Sequence, residues 1–326
     1  MSLDADLIVD RRRMRRKLTF WRVLSVVVAI VAIGTVAAVL APRGLGTPGR
    51  AQIARVTIDG LIRGNPERVK ALTELSKSRS ARAVIIHVDS PGGTTAGSEQ
   101  LHNALRLVAA AKPTVVVVDG LAASGGYIAA MASDHIVAQD TSLVGSIGVL
   151  FQYPNFSDLL KTIGVQVETV RSTPLKAAPN GFEPTSPEAK AALESIVKDS
   201  YAWFRGMVQD RRKLTGDALE KVVDGRVFTG RQAIELKLID EIGNEQTAID
   251  WLAKEKGIDS KLPVRDWRLE PRFSELSFLH VGVAAVLDAV GLTTLARRFE
   301  DTGSVRALER LNLDGLLALW HPPGAN

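Results

Sequence analysis

The sequence contains no cysteine among its 326 residues, and this absence excludes several kinds of chemistry. Disulfide bridges, zinc ribbons, iron–sulfur clusters and thiol nucleophiles all require cysteine side chains. Hydrophobic residues make up 46% of the chain and charged residues 24%. A chain of this composition can bury a large core, so wholesale disorder is excluded, and the length predicts one or two domains.

Excess positive charge is also missing from most of the chain. The formal net charge is +5, but residues 1–22 alone hold seven basic side chains against three acidic ones. The other 304 residues carry 34 basic and 33 acidic groups, so they are nearly neutral. The imbalance is therefore local, which argues against a basic domain face and against nucleic acid as a partner.

One long apolar run follows this basic segment. Residues 23–41 contain no charge and no proline, and 19 helical residues are long enough to span the hydrocarbon core of a bilayer. A cleaved signal peptide is the alternative, but its apolar region is shorter, and Pro42 would follow the cut. We expect a retained anchor, with residues 1–22 in the cytoplasm and the chain after Pro42 outside it.

The rest of the chain alternates between strand and helix patterns. After a Pro/Gly linker at 42–52, strands are predicted at Ile53–Ile58, Ala83–Val88, Thr114–Val118, His135–Ala138, Leu143–Val149 and Gln166–Val170. Helices are predicted at Pro66–Lys77, Gly97–Ala111, Ala122–Ser133 and Pro187–Lys213. This alternation predicts a parallel α/β sheet with right-handed crossovers. The tail, 260–326, has apolar helical patches at Val281–Val290 and Leu308–Leu319 and a role that the sequence leaves open.

Two glycine-bearing turns are predicted where strands end. The first is Asp89–Gly93 and the second is Gly120–Gly126. Ligands bind at the carboxyl ends of strands in open α/β sheets. Ser124 has small residues on both sides, a pattern similar to that of nucleophile elbows, in which a sharp turn exposes the hydroxyl. The first turn lacks the glycine spacing of a dinucleotide-binding fingerprint, and ordinary turns remain the simpler interpretation of each turn taken alone.

A serine nucleophile needs a general base, and the residues leave two candidates open. His87 lies within a predicted strand, two residues before the first turn. Lys176 lies in a stretch with no other charge, and a lysine acts as a base when desolvation lowers its pKa.

Five blocks of sequence, in order, resemble those of the signal peptide peptidase A family, also called protease IV. They are Asp89–Gly93, Ala122–Tyr127, Val144–Val149, Asp224–Ala233 and Leu238–Gly243. The resemblance covers about residues 50–257, and the chain is similar to the short, single-copy form of the family, which has one N-terminal anchor. It implies a Clp protease/crotonase-like spiral of strand–strand–helix units over residues 53–259, joined to one N-terminal transmembrane helix.

The resemblance also implies the roles of individual residues. Ser124 matches the nucleophile, Lys176 its general base, and Ser146 the residue that orients the lysine. The oxyanion hole would be formed by backbone N–H groups of Gly92 or Gly93 and of Gly125. Leu175 departs from the family pattern, which has an acidic or aromatic residue near the lysine. No metal or other cofactor is implied.

The resemblance further implies a membrane-anchored serine endopeptidase that degrades signal-peptide remnants and other apolar peptides at the bilayer. Its expected location is the bacterial inner membrane, with the catalytic domain on the periplasmic side. Short-form members form a homo-oligomeric ring in which neighbouring subunits share each site. The alternatives are a related anchored protease that cuts a specific membrane-protein partner, a crotonase-type acyl-thioester enzyme, and a non-catalytic scaffold.

Overall fold

A computed structural model of the chain describes residues 17–22, 50–269 and 316–319. The chain divides into a unit that ends at Arg50 and a unit that begins at Ala51. In the first unit, residues 17–22 are helical, and the predicted span at 23–41 lies outside the described residues. Across the described ranges, no helix has both the length and the apolar character needed to cross a membrane.

The second unit is built from strands and helices in alternation. Its strands are β1 Gln52–Ile62, β2 Ala81–Thr94, β3 Thr114–Ala123, β4 His135–Ala138, β5 Leu143–Gly145, β6 Leu150–Phe151, β7 Val227–Thr229, β8 Glu241–Ile242, β9 Val264–Asp266 and β10 Leu316–Leu319. Its helices are α1 Pro66–Lys77, α2 Thr95–Ala111, α3 Gly125–Ala130, α4 Ser157–Thr162, α5 Pro187–Arg212, α6 Asp217–Glu220, α7 Gly230–Glu235 and α8 Glu245–Lys256.

The strands form one mixed sheet. Its main path runs β6-β10-β2-β3-β4-β8, while β1 joins β2 to β9 and β5 joins β3 to β7. The pairs β1–β2, β2–β3, β3–β4, β4–β8, β1–β9 and β3–β5 are parallel. The pairs β5–β7, β10–β2 and β10–β6 are antiparallel. The predicted parallel α/β core is confirmed, and antiparallel strands extend it near the ends of β2 and β3.

Apolar side chains cover both faces of the sheet. Along β2, Val84 and Ile86 belong to a large core that includes buried residues of α1, α2, α3 and α5. Ala83 and Ile85 belong to a smaller core that includes Ala248 and Leu252 of α8. Burial on both faces explains why these strands are nearly continuous apolar runs instead of alternating ones.

Several predicted bounds are confirmed closely. The helix Pro66–Lys77 and the strand His135–Ala138 occupy the predicted residues. The helix begins at Pro66 because the Asn65 side chain accepts a hydrogen bond from the Arg68 N–H and caps the first turn. The predicted helix at Pro187–Lys213 ends one residue early, at Arg212.

The two predicted glycine turns are mostly strand. Asp89–Gly93 lies within β2, where Gly92 and Gly93 pair with Leu61 and Ile62 of β1. Residues 120–123 lie within β3, and only Ser124 turns the chain. A register shift next to Val88 and the positive φ of Gly92 allow β2 to kink and still keep its partners.

Other predicted elements are wrong or shorter. Residues 166–170 form no strand, because no strand pairs with them among the residues that the structure describes, and Val170 is fully exposed. The predicted strand Leu143–Val149 ends at Gly145. Residues 316–319, predicted as helix, form β10, because their backbone pairs with β2 on one side and β6 on the other. The rest of the tail, 270–315 and 320–326, lies outside the described residues.

Candidate active site

Ser124 stands at the sharp corner between β3 and α3. Its backbone has φ 53° and ψ −114°, a region that costs a non-glycine residue about 1–3 kcal/mol. Small neighbours make the corner possible. A side chain on Gly126 would place its Cβ 2.5 Å from the Ser90 carbonyl oxygen. This is the strand–turn–helix geometry that the sequence pattern predicts for a nucleophile elbow.

The hydroxyl of Ser124 is buried but unsatisfied. Ser124 is 1% exposed, and its N–H donates to the Gly145 carbonyl at 2.8 Å. Its Oγ has no hydrogen-bond partner among the residues that the structure describes. A buried hydroxyl without a partner is unfavourable, so this atom is available to a base or a bound ligand.

The glycines of β2 lie beside this corner, because Ser90 pairs with Ala122 across the β2–β3 ladder. Ser90 Oγ donates to the Gly60 carbonyl at 2.6 Å and accepts from the Gly92 N–H at 3.1 Å. Gly93 has no room for a side chain, since a Cβ would lie 1.8 Å from the Ile62 carbonyl oxygen. Ser90 was not among the predicted site residues; its position before the Pro-Gly-Gly run at 91–93 is the one sequence feature that could have indicated it.

Ser146 repeats the geometry of Ser124 on the neighbouring strand. Ala123 pairs with Gly145, so the two serines follow directly after paired residues at the ends of parallel strands. Ser146 also has a positive φ, 51°, and is 8% exposed. Its N–H donates to the Arg226 carbonyl at 2.8 Å. The fold therefore brings Ser124, Ser146 and the glycines of β2 to one edge of the sheet.

Lys176 is not brought into hydrogen-bond contact with these residues. It lies in the loop between α4 and α5, where its side chain is exposed. Its backbone N–H donates to the Thr173 carbonyl at 3.0 Å. Neither Ser124 Oγ nor the Ser146 hydroxyl has a lysine partner within the described part of this chain.

His87, the other candidate base, is occupied by carboxylates. Its Nδ1 lies 2.9 Å from Asp119 and its Nε2 lies 2.7 Å from Glu245. Arg55 holds the same Glu245 through two hydrogen bonds of 2.6 Å, which lower the pKa of that carboxyl group. Nδ1 thus ties β2 to β3, Nε2 ties the sheet to the start of α8, and His87 has no hydrogen bond to Ser124. Nothing in the sequence pattern signalled these long-range partners.

Two family models match parts of the chain. Residues 106–259 match the pattern of peptidase family S49, and residues 65–140 match the Clp protease family. The core of the chain thus has a Clp protease-like α/β fold. Among solved structures, a variant Clp protease subunit of Listeria monocytogenes aligns with 58% of this chain and 91% of its own, at 14% identity and a TM-score of 0.40.

Curated relatives point to the same family. A protein of Synechocystis sp., named as a candidate protease, is 33% identical over 215 residues, which cover 65% of this chain and 77% of that protein. A serine protease SPPA of the Arabidopsis thaliana chloroplast is 35% identical over 70% of this chain and 32% of its own length. Protease 4 of Salmonella typhi is 31% identical over 74% of this chain and 37% of its own length. The chain therefore belongs to peptidase family S49, with the signal peptide peptidase A and protease 4 proteins, and it is a serine-type protease.

Proposed function

We propose that this chain is a membrane-anchored serine endopeptidase in which Ser124 is the nucleophile and Lys176 the general base. The observation that carries the proposal is the Ser124 hydroxyl, which is buried, without a hydrogen-bond partner among the described residues, and held on a strained corner at the start of a helix. Strained backbone of this kind persists only where the surrounding structure enforces it, and it is concentrated at active sites.

The proposed mechanism assigns one role to each residue. Ser124 Oγ attacks a peptide carbonyl while Lys176 takes the hydroxyl proton and later passes it to the leaving amine. Ser146 hydrogen-bonds the lysine and orients it. Water then hydrolyses the acyl-enzyme, and the lysine again acts as the base.

The oxyanion hole is proposed to use the N–H groups of Gly125 and of the β2 glycines. Gly125 is the first residue of α3, and the first N–H groups of a helix have no partner within it. The Gly92 N–H already donates to Ser90 Oγ, so we favour Gly93 and Gly125 as donors, with Gly92 in a supporting role. Each such donor typically contributes about 3–4 kcal/mol to stabilisation of the transition state.

We further propose that the base comes from a neighbouring subunit of a homo-oligomeric ring. Lys176 is exposed in its own chain, whereas a lysine must be desolvated to act as a base near neutral pH. The chain around it exposes many large apolar side chains: Phe156, Leu159, Ile163, Val165, Val167, Val170, Leu175, Phe182 and Ile196. Packing against a second copy would bury these side chains and desolvate Lys176 together.

Apolar peptides, including signal-peptide remnants, are the proposed substrates. The backbone of β10 pairs antiparallel with residues 92–94 of β2 and with Leu150–Phe151 of β6. An extended peptide that took the place of β10 between these strands would gain main-chain hydrogen bonds beside the β2 glycines, as in β-strand addition. The apolar run at 23–41 would keep the site close to substrates in the inner membrane, with the catalytic domain on the periplasmic side.

The experiment compares wild-type full-length protein in detergent with Ser124→Ala, Lys176→Ala and His87→Ala. Wild type should react with a fluorophosphonate and cleave an apolar fluorogenic peptide. In the Ser124 and Lys176 variants, both the labelling rate and the cleavage rate should be far below those of wild type. Activity that survives Lys176→Ala but is lost in His87→Ala would overturn the dyad. Co-expression of Ser124→Ala and Lys176→Ala subunits tests sharing, because a shared site is rebuilt in mixed oligomers and a site within one chain is not.

A further inference from the structure

The C-terminal end of α3, the helix that follows directly after Ser124, is held by two arginines and a histidine from neighbouring helices. Arg211 of α5 donates to the Met131 and Ser133 carbonyls at 2.8 and 2.6 Å. Arg106 of α2 donates to the Ala132 carbonyl at 2.8 Å. One turn further along α2, towards its N-terminus, His102 Nδ1 lies 2.8 Å from the Ile128 carbonyl.

The arginines hold three consecutive carbonyls of the turn that follows α3. Met131, Ala132 and Ser133 come after Ala130, the last residue of the helix, and all three are buried, so the arginines supply hydrogen bonds that water would otherwise make. Cations at this end also interact favourably with the helix dipole. Burial lowers the pKa of His102, so the ring is neutral near pH 7 and its Nδ1–H donates to the Ile128 carbonyl.

The two guanidinium groups lie close together although they repel each other. Burial lowers the pKa of Arg211, and the charge of Arg106 lowers it further, while Asp134 opposes the shift. Arginine nevertheless stays protonated in proteins. The repulsion between the two arginines is unfavourable unless their hydrogen bonds to the carbonyls at this end of α3 compensate for it.

α3 is short enough to transmit this constraint to the nucleophile. Its six residues, Gly125–Ala130, span about 9 Å. Every residue of the helix is buried, and the Ile128 N–H donates to the Ser124 carbonyl at 3.0 Å. A shift at the carbonyl end therefore moves the strained corner at Ser124, whose backbone conformation depends on its surroundings.

We infer that Arg211, supported by Arg106, is a positioning residue for the Ser124 nucleophile and acts on it through α3. The inference rests on the proposed function of Ser124. Arg211 lies at the C-terminal end of α5, and the loop that carries Lys176 precedes the start of the same helix. Arg211 therefore links the element that follows the proposed base to the helix that holds the nucleophile.

The test uses full-length Arg211→Gln, with Arg205→Gln as the matched control. Arg205 is on the same helix, but it pairs with Glu220 at the surface. Arg211→Gln should lower kcat and the fluorophosphonate labelling rate by about tenfold to a hundredfold, since small misplacements of reacting groups have effects of this size. KM should stay within about twofold, because the proposed substrate position, now taken by β10 between β2 and β6, lies on other elements. Arg205→Gln should match wild type.

Two further measurements separate positioning from loss of the fold. Hydrogen exchange of residues 124–133 should accelerate in Arg211→Gln and not in Arg205→Gln, while far-UV circular dichroism is unchanged. Arg211→Lys, which keeps the charge and reaches fewer carbonyls, should recover part of kcat.

Wild-type kcat and exchange in Arg211→Gln would overturn the inference and leave the proposed function standing. The inference would also be overturned if activity were lost only together with global unfolding and Arg211→Lys did not recover it. A wild-type protein that neither labels nor cleaves would overturn the proposed function, and the inference with it.

Discussion

The Ser124 corner and the Lys176 loop are built in opposite ways. Around Ser124 the backbone is strained, the neighbours are small and buried, and the carbonyls beyond the helix are held by charged side chains. Around Lys176 the chain is irregular and exposes apolar side chains such as Leu175 and Val170 to solvent. This contrast agrees with the proposal that a second copy of the chain desolvates Lys176, since the Ser124 corner is packed within one chain and the Lys176 loop is exposed.

Removal of the proposed nucleophile should have the largest effect on activity. Ser124→Ala should lower kcat by at least about a thousandfold, as the loss of a serine nucleophile does in other serine proteases. Stability should not fall, since the lost hydroxyl has no hydrogen-bond partner in the described chain. Peptide cleavage and thermal unfolding are the measurements, with Ser76→Ala on α1 as the control. Substantial residual cleavage would mean that another group attacks the peptide.

Lys176→Ala should have a comparable effect on kcat and almost none on the subunit itself. The side chain is exposed in its own chain, and surface substitutions usually change stability by less than about 0.5 kcal/mol. The expected result is therefore an inactive protein with the wild-type unfolding midpoint in denaturant. An active Lys176→Ala protein would remove this loop from the site.

Gly126→Ala tests the close packing of the Ser124 corner. The new Cβ would meet the Ser90 carbonyl at 2.5 Å, and overpacking of this kind costs about 1–3 kcal/mol. Both the unfolding free energy and the labelling rate of Ser124 should fall. The matched control is Gly206→Ala on α5, where a Cβ meets nothing within 4 Å and should stabilise the helix by about 0.5–1 kcal/mol. Equal stability of the two variants would refute the packing argument.

The smallest expected effect concerns the carboxylate cluster away from the site. Hydrogen bonds from Arg55 lower the pKa of Glu245, so its folded pKa lies below its unfolded one. The resulting stability is present above the unfolded pKa, which is about 4.3, and is lost as pH falls through the folded pKa.

Between pH 5 and pH 3 the thermal midpoint of wild type should therefore fall more than that of Glu245→Gln. His87, Asp119 and Asp266 share this network and are present in both proteins, so the difference between the two curves is the quantity to compare. Glu255→Gln, at an exposed position of α8, should follow the wild-type curve. Parallel curves for wild type and Glu245→Gln would contradict the coupling to Arg55.

Much of the fold was predictable, because local rules and tertiary packing agree there. The apolar run at 83–88 lies in a strand that is buried on both faces, and Asn65 and Pro66 begin a helix as caps and first-turn prolines do. The rules failed where a partner strand decides the outcome. Gln166–Val170 has the composition of a strand, but no strand pairs with it in the described part of the chain. Leu316–Leu319 has an apolar helical composition but pairs on both edges.

The same division applies to the candidate site. The small residues around Ser124 and the glycines of β2 could be found from sequence, since only small residues fit a sharp corner or a close approach between backbones. Ser90, Arg106 and Arg211 could not be found, because each acts on carbonyls from a distant part of the chain. The sequence also left His87 open as a base, until the structure showed both ring nitrogens against carboxylates.

The sequence by itself determined which segments are apolar, where charge is concentrated, which hydroxyl lies between small residues, and which family the ordered blocks resemble. These properties depend on residue type and on spacing over a few positions. Tertiary structure alone decided which strand ends meet, how Ser124 is strained and anchored, and that Lys176 makes no hydrogen bond to the Ser124 hydroxyl within the described chain. Those outcomes depend on hydrogen bonds and packing between residues far apart in sequence, and no local pattern encodes them.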